Sequence, residues 1–390
     1  MFALEPIDPA ILVSEPPVAD PAAGFDAPPV AQTPSLGLKQ MVVRWLPTEL
    51  TAAGAHALSG TWDEPSNEIA AWCVRLDAPD EDAMRSDDDA AFEGRSPRMV
   101  GAAAHDGCVL GLSMAAGGTG SAPVVAYTAS GAGGVSCYAI DPEAFGEPDA
   151  IRHMWRRAAP EYGLATLDVA CSGGGGSVAA VGEDGGIVVL SAERGAEAWG
   201  AQTEEPALYA ACWWDASTLA VAGAVVGLWD VRMRGSNAPA LVLAPSPGTH
   251  VHLASQLLCL STDPQPPNRL AAGAADGTIA VWDVRAAKSA PSGGGVPPLL
   301  SFGAHTADVW DVQLGSGAHG HDLLSCGGDG LLHAWQLEGL EGDAAAVADA
   351  APTRRTLVQL GFAINSLEVS RHGVLAAASD AQVLTFVDFN

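Results

Sequence analysis

Trp229-Asp230-Val231-Arg232 and Trp282-Asp283-Val284-Arg285 repeat one box 53 positions apart, and Trp335 follows 53 positions after Trp282. Asp276-Gly277 and Asp329-Gly330 each stand six residues before a tryptophan of this series. An Asp-Gly pair suits the tight turn between antiparallel strands, and a position six residues on lies in the following strand, where an aromatic ring packs between neighbouring sheets. The same offset finds Asp184-Gly185 before Leu190 and Asp380 before Phe386, and the register admits Tyr138 and Trp72 as earlier members. Seven anchors result: Trp72, Tyr138, Leu190, Trp229, Trp282, Trp335 and Phe386. Recurrence of this length with one turn and one aromatic signature is the mark of a repeated supersecondary unit.

The rest of the chain has the texture of an all-β protein. Its 390 residues include 45 Gly and 27 Pro, which punctuate short apolar runs such as Val124-Val125-Ala126-Tyr127, Leu219-Ala220-Val221-Ala222 and Ile279-Ala280-Val281-Trp282. Runs of this length between turn residues read as strands. The expectation is a seven-bladed β-propeller, and the boxes resemble those of WD-repeat propellers. In that family a His before the first strand, a Ser or Thr on the second, the turn Asp and the Trp form one hydrogen-bonded set. The resemblance implies a complete set at His305, Ser325, Asp329 and Trp335. Elsewhere the sets are partial. The second unit offers His105, Thr128 and Tyr138 with Ala132 in the Asp position, and the fifth offers Asp276 and Trp282 with Ala272 in the Ser position. Asp184 is accompanied by Ala180 and Leu190, and Trp229, Asp380 and Phe386 stand as single members.

Residues 1–33, rich in Pro, Ala and acidic groups, read as a disordered tail, and residues 34–390 as the propeller. The chain ends four residues after Phe386, which leaves the last unit without an outer strand. The segment Leu36 to Gln40 is placed to supply it, so that no edge is left open. Two further acidic stretches, Asp77 to Glu93 and Gly339 to Pro352, read as solvated loops.

Charge and cysteine usage bound the function. Forty-six acidic residues against eighteen basic ones give a formal net charge of -28, which opposes nucleic-acid backbones. Arg152, Arg156 and Arg157, around His153 and Trp155, form the one dense basic cluster and read as a solvated loop. The seven cysteines form no C-x-x-C pair and read as reduced core residues. The N-terminus carries no basic residue before Lys39 and no apolar run approaches a membrane span, so a soluble cytosolic or nuclear protein is expected, without membrane insertion.

Catalytic and cofactor signatures are not met. Gly173 to Gly176 lacks the Gly-Lys-Ser/Thr of a phosphate loop, and Gly111-Leu112-Ser113-Met114-Ala115 falls in strand context rather than at a nucleophile elbow. His250 with His252, and His319 with His321, lack the further ligands a metal needs. His305, beside Asp308, is accounted for by its structural set. No catalytic, cofactor or metal site is therefore expected, and the surface is left as a platform for protein partners.

More particular stretches point further. Val43-Arg44-Trp45-Leu46-Pro47, Ser59-Gly60-Thr61-Trp62-Asp63-Glu64, Ile69-Ala70-Ala71-Trp72 and Val181-Gly182-Glu183-Asp184-Gly185 run in order along the chain. Ala304-His305, Val309-Trp310-Asp311-Val312, Ala363-Ile364-Asn365-Ser366-Leu367 and Ser379-Asp380-Ala381 follow them. Together they resemble the nucleoporin forty-three family, the small WD-repeat subunit of the Y-shaped outer-ring complex of the nuclear pore. That resemblance implies a non-enzymatic scaffold at the nuclear envelope, docked on helical-solenoid nucleoporins of the short arm and not a homo-oligomer. An alternative comes from the W-D-x-R endings, which resemble the box of substrate receptors of cullin-RING ubiquitin ligases. Arg232 and Arg285 would then be adaptor contacts.

Overall fold

In the computed structural model, the described residues are 30–33, 36–47, 54–75, 97–115, 123–158, 164–235, 238–244, 255–263, 268–285, 295–315, 321–337 and 352–388. The acidic stretch Asp77 to Glu93, nearly all of Gly339 to Pro352, and His250, His252 and His319 lie outside them.

The described strands form seven four-stranded antiparallel sheets, as the repeat predicts. β1 (Val30–Gln32) belongs to the last sheet. Blade 1 runs from its innermost strand outward as β2 (Gln40–Trp45), β3 (Ala55–Thr61), β4 (Asn67–Val74) and β5 (Arg98–His105). Blade 2 is β6 (Val109–Met114), β7 (Val124–Ser130), β8 (Val135–Ile140) and β9 (Ile151–Arg157). Blade 3 is β10 (Thr166–Cys171), β11 (Ser177–Gly182), β12 (Gly186–Ser191) and β13 (Glu197–Gln202). Blade 4 is β14 (Ala210–Trp213), β15 (Thr218–Ala222), β16 (Val226–Asp230) and β17 (Leu241–Leu243). Blade 5 is β18 (Leu257–Thr262), β19 (Arg269–Ala274), β20 (Thr278–Asp283) and β21 (Leu300–Gly303). Blade 6 is β22 (Val309–Leu314), β23 (Leu323–Gly327), β24 (Leu331–Gln336) and β25 (Thr353–Gln359). Blade 7 is β26 (Ile364–Val369), β27 (Val374–Ser379), β28 (Leu384–Asp388) and, outermost, β1.

The core is divided between blades. Each blade buries apolar side chains against both neighbours: Val42, Leu58 and Tyr138 between blades 1 and 2, for example, and Cys259, Ile279 and Trp335 between blades 5 and 6. Six anchors, Trp72, Tyr138, Leu190, Trp229, Trp282 and Trp335, lie on the third strand of their blade and face the blade before them.

Phe386 does not. It pairs with Ala376 and packs toward blade 1, edge-on to Trp45 with ring centroids 5.7 Å apart. Val387, paired with Leu375 and packed against blade 6, holds the place that Trp335 holds in blade 6. The cause is the turn: Gln382 (φ 61°) takes the left-handed position of Gly330 (φ 76°), one residue later than an Asp380-centred count assumes. Side chains alternate along a strand, so a one-residue slip transfers the aromatic to the opposite face.

The ring closes upstream of the expected segment. Val30, Ala31 and Gln32 pair with Val387, Phe386 and Thr385, so three residues assigned to the tail supply the fourth strand. Thr33 extends the pairing: its N–H donates to the Leu384 carbonyl, and its Oγ1 accepts the Leu384 N–H, both at 3.0 Å. The segment at Leu36 to Gln40 instead carries the chain back toward β2, with the Leu36 N–H bonded to the Gln382 carbonyl. A second correction concerns Arg152, Arg156 and Arg157, which lie on the outer strand β9 rather than in a loop.

Side chains bridge the innermost strands of adjacent blades. Ser113 Oγ accepts the Cys171 N–H at 2.9 Å, Ser261 Oγ the Leu314 N–H at 3.0 Å, and Gln313 Oε1 the Val369 N–H at 2.8 Å. Glu368 accepts the Trp45 N–H in the same way from blade 7 to blade 1. Two residues earlier on their strands, Asp168 accepts the Ala211 N–H at 2.9 Å and Asp311 the Leu367 N–H at 3.0 Å. Backbone donors that no ladder reaches thereby find partners, as buried donors must.

Candidate functional site

The residues of the expected complete set come together between blades 5 and 6. His305 Nδ1 lies 3.0 Å and 3.1 Å from the two carboxylate oxygens of Asp329, His305 Nε2 lies 2.8 Å from Ser325 Oγ, and Trp335 Nε1 donates to that hydroxyl at 2.9 Å. Burial lowers the His305 pKa despite the opposing pull of Asp329. The ring is therefore neutral, with Nδ1–H donating to Asp329 and Nε2 accepting from Ser325, which makes the contact a hydrogen bond rather than an ion pair. Asp329 also accepts the Thr306 and Leu331 N–H groups at 3.0 Å and 3.1 Å, so the set pins the turn, the strand and the preceding loop together.

The other sets are satisfied by substitutes. In blade 2, His105 Nε2 meets Thr128 Oγ1 at 2.8 Å, but the Gly107 carbonyl, 2.8 Å from Nδ1, replaces the missing carboxylate. Tyr138 turns its hydroxyl to the Ala104 carbonyl at 3.4 Å. In blade 5, with Ala272 where a Ser would be, Trp282 donates to the Val296 carbonyl at 3.1 Å, and Asp276 caps Thr278. Asp184 caps Gly186, and Trp229 packs edge-on against Trp199 at 6.2 Å. Asp380 is drawn into the ring closure, accepting from Trp62 at 2.9 Å and Asn365 at 2.7 Å. One member escaped sequence reasoning: Trp72 donates to Ser59 Oγ at 2.9 Å, and Ser59 stands two residues from the pairing partner of its Trp, as Ser325 does.

Inside the ring, Arg44 Nη1 donates to Ser366 Oγ at 2.7 Å and approaches Asp311 at 3.5 Å. Burial pushes the Glu368 carboxyl up to about 7, against the pull of Arg44, and pushes Asp168 up to about 6. These groups already hold backbone N–H groups of neighbouring blades. Among the described residues no group of three or more His, Cys, Asp and Glu is arranged to hold a metal ion.

The two W-D-x-R arginines are exposed, at 73% for Arg232 and 64% for Arg285, and each folds back on its own box. Arg232 Nε and Nη2 donate to the two oxygens of Asp230 at 2.8 Å and 2.6 Å, and Arg285 holds Asp283 at 3.0 Å and 2.6 Å. Such forked pairing occupies the face of the guanidinium that a partner carboxylate would use.

Seven four-stranded blades, six of them sharing this third-strand anchor and one carrying the full His-Ser-Asp-Trp set, define a WD-repeat β-propeller. The chain is similar to the Nucleoporin Nup43 of Homo sapiens, 26% identical over 306 residues that cover 75% of this chain and 72% of that protein. It is likewise similar to the Nucleoporin Nup43 of Mus musculus, 25% identical over 288 residues, 71% of this chain and 67% of that protein. No protein-family model matches the chain. The likeness to the nucleoporin forty-three family read from the motifs is thus found again over 75% of the chain.

Proposed function

We propose that the chain is a non-enzymatic architectural nucleoporin of the nuclear envelope, a scaffold subunit of the Y-shaped outer-ring complex that supports nucleocytoplasmic transport and pore assembly. Its partners in this reading are helical-solenoid nucleoporins of the short arm and other scaffold subunits of the pore. The likeness to Nucleoporin Nup43 over most of both chains carries the proposal. The chemistry of the ring supports it, because the polar side chains that stand out in the sequence are spent on holding turns and strands. A rigid ring with its polar groups so engaged offers surface rather than reactivity. Affinity purification of the tagged full chain with mass spectrometry tests it. Recovery of outer-ring pore subunits is expected, and recovery of a ligase adaptor without pore subunits would overturn it.

A further inference from the structure

Six of the seven innermost strands slip their ladder at the second residue: Met41, Leu110, Leu167, Leu258, Trp310 and Asn365. A bulge of this kind re-aims its side chain out of the pleat. Tyr209 holds the place in blade 4. It lies two residues before Ala211, whose N–H Asp168 accepts, as Asn365 lies two before Leu367, whose N–H Asp311 accepts. Asn365 is buried and bonded into the ring closure, whereas the six large apolar side chains are all half-buried and none belongs to the apolar cores between blades. Each innermost strand touches the next around the ring, β26 reaching β2, so the six gather about the axis on one face. Thr166 pairs with Gly182 and Val309 with Gly327, which sets the turns between second and third strands on that face too. The loop into β26 adds Phe362, 62% exposed.

Charge divides this face. On blades 3 to 6 it carries Glu183, Glu204, Glu205, Asp276 and Asp308, and no ion pair engages them among the described residues. Its described basic residues, Lys39, Arg156 and Arg157, lie on blades 1 and 2, the first two paired with Asp63 and Asp106. Arg232, Arg269, Arg285 and Arg371 stand at the opposite ends of their strands.

We infer that this face docks a basic segment of a partner protein that also carries apolar side chains. Leu167, Tyr209, Leu258 and Trp310 form the apolar floor, and the carboxylates of blades 3 to 6 form the rim. Covering apolar groups that no core has taken up is favourable, and an apolar centre with a polar rim is the anatomy of a protein interface. The carboxylates set the charge of the occupant. They repel the phosphates of nucleic acid and of anionic lipid, and a second copy of the chain would bring its own net charge of -28. A cationic segment gains from the same field. The inference rests on the scaffold reading only in taking the segment from a protein.

The probe is the synthetic peptide KLRFKLR, labelled with a fluorophore and titrated into the full chain by anisotropy, so the outcome does not depend on any pore component. Saturable binding is expected, with the acidic counterpart ELEFELE and the polar counterpart KSRSKSR each weaker by about tenfold or more. Trp310→Ala should weaken KLRFKLR by about tenfold or more, the effect of removing an apolar anchor. Should that variant not fold, Leu167→Ser tests the same floor from blade 3. Glu204→Gln/Glu205→Gln/Asp308→Asn should weaken binding about three- to tenfold. Glu143→Gln/Glu147→Gln/Asp149→Asn removes the same charge from the loop between β8 and β9 on the other face and should leave binding unchanged. Absence of saturable binding to the wild type would overturn the inference. Equal losses in the two triple variants would overturn it too, since net charge alone would then attract the peptide, and so would KSRSKSR binding as well as KLRFKLR. Loss of the pore assignment with the expected results intact would leave the docking face standing.

Discussion

Trp62 in blade 1 donates its indole N–H to the carboxylate of Asp380 in blade 7, 2.9 Å away and 318 residues distant in sequence. Asp380 is free to do so because the left-handed residue of its turn is Gln382, which moves the carboxylate out of the place Asp329 takes in blade 6. The same carboxylate accepts from Asn365 Nδ2, whose amide also reaches the Gln40 carbonyl. Besides the contacts of Arg44 and Trp45 with blade 7, ring closure therefore includes the short pairing of β1 with β28 at the outer rim and this polar bridge on the turns.

Trp62→Phe keeps the ring and removes its donor, and Asp380→Ala strands two donors. The first should cost about 1 kcal/mol and the second about 1 to 3 kcal/mol. A double-mutant cycle in urea should return a coupling of at least about 0.5 kcal/mol, as groups in one network do. Strict additivity would show that the bridge is incidental.

Asp329→Ala should destabilise more than Asp184→Ala. Asp329 accepts from His305, Thr306 and Leu331, whereas the Asp184 carboxylate caps Gly186. Stranding the buried His305 donor costs about 1 to 3 kcal/mol, against a few tenths to about 1 for a single half-buried cap. Thermal unfolding midpoints compare them, and equal shifts would contradict the account of the complete set.

Two buried groups pull stability in opposite directions with pH. Burial lowers His333 to about 3, so the folded protein holds it neutral while the unfolded chain takes up a proton below its ordinary pKa near 6.5. Its contribution falls as pH drops from about 6.5 toward 3, by up to about 1.4 kcal/mol per unit. Burial raises Glu368 to about 7, so the folded state binds the extra proton, and its contribution is lost as pH rises from about 4.5 through 7. Relative to wild type, His333→Phe should gain stability as pH is lowered from 7 to 5, and Glu368→Gln should gain as pH is raised across the same range. Urea titrations at three pH values check both signs.

Arg232→Ala with Arg285→Ala separates scaffold from ligase receptor. Each guanidinium is exposed and clasped by the Asp of its own box, so the double variant should keep its pore partners undiminished. If the boxes were adaptor hot spots, truncation would weaken adaptor capture roughly thirtyfold or more. Co-purification of pore subunits and adaptor, compared between wild type and variant, decides.

Six of the seven anchors were legible because an Asp-Gly or equivalent turn and a strand position recur at a fixed offset, as at Asp329 and Trp335. Blade 7 broke the count by one residue, since nothing in Asp380-Ala381-Gln382 announces which residue turns left-handed. The closing strand Val30-Ala31-Gln32 has no signature of its own; its identity comes from the edge it covers. Ser59 was hidden by the longer turn through Trp62-Asp63-Glu64, and Val296 because a backbone carbonyl serves as acceptor whatever the side chain. The bridges from Ser113 to Cys171 and from Ser261 to Leu314 join strands of different units, which no single repeat announces. The complete set at His305, Ser325, Asp329 and Trp335 was readable because all four side chains are of the required type at once.

The most direct measurement of the central claim is the position of the tagged full-length chain in interphase cells, imaged with a marker of the outer ring. A continuous punctate rim coincident with that marker, retained by the Arg232→Ala/Arg285→Ala double variant, is the result the scaffold account predicts. Diffuse wild-type signal with no enrichment at the nuclear envelope would contradict it.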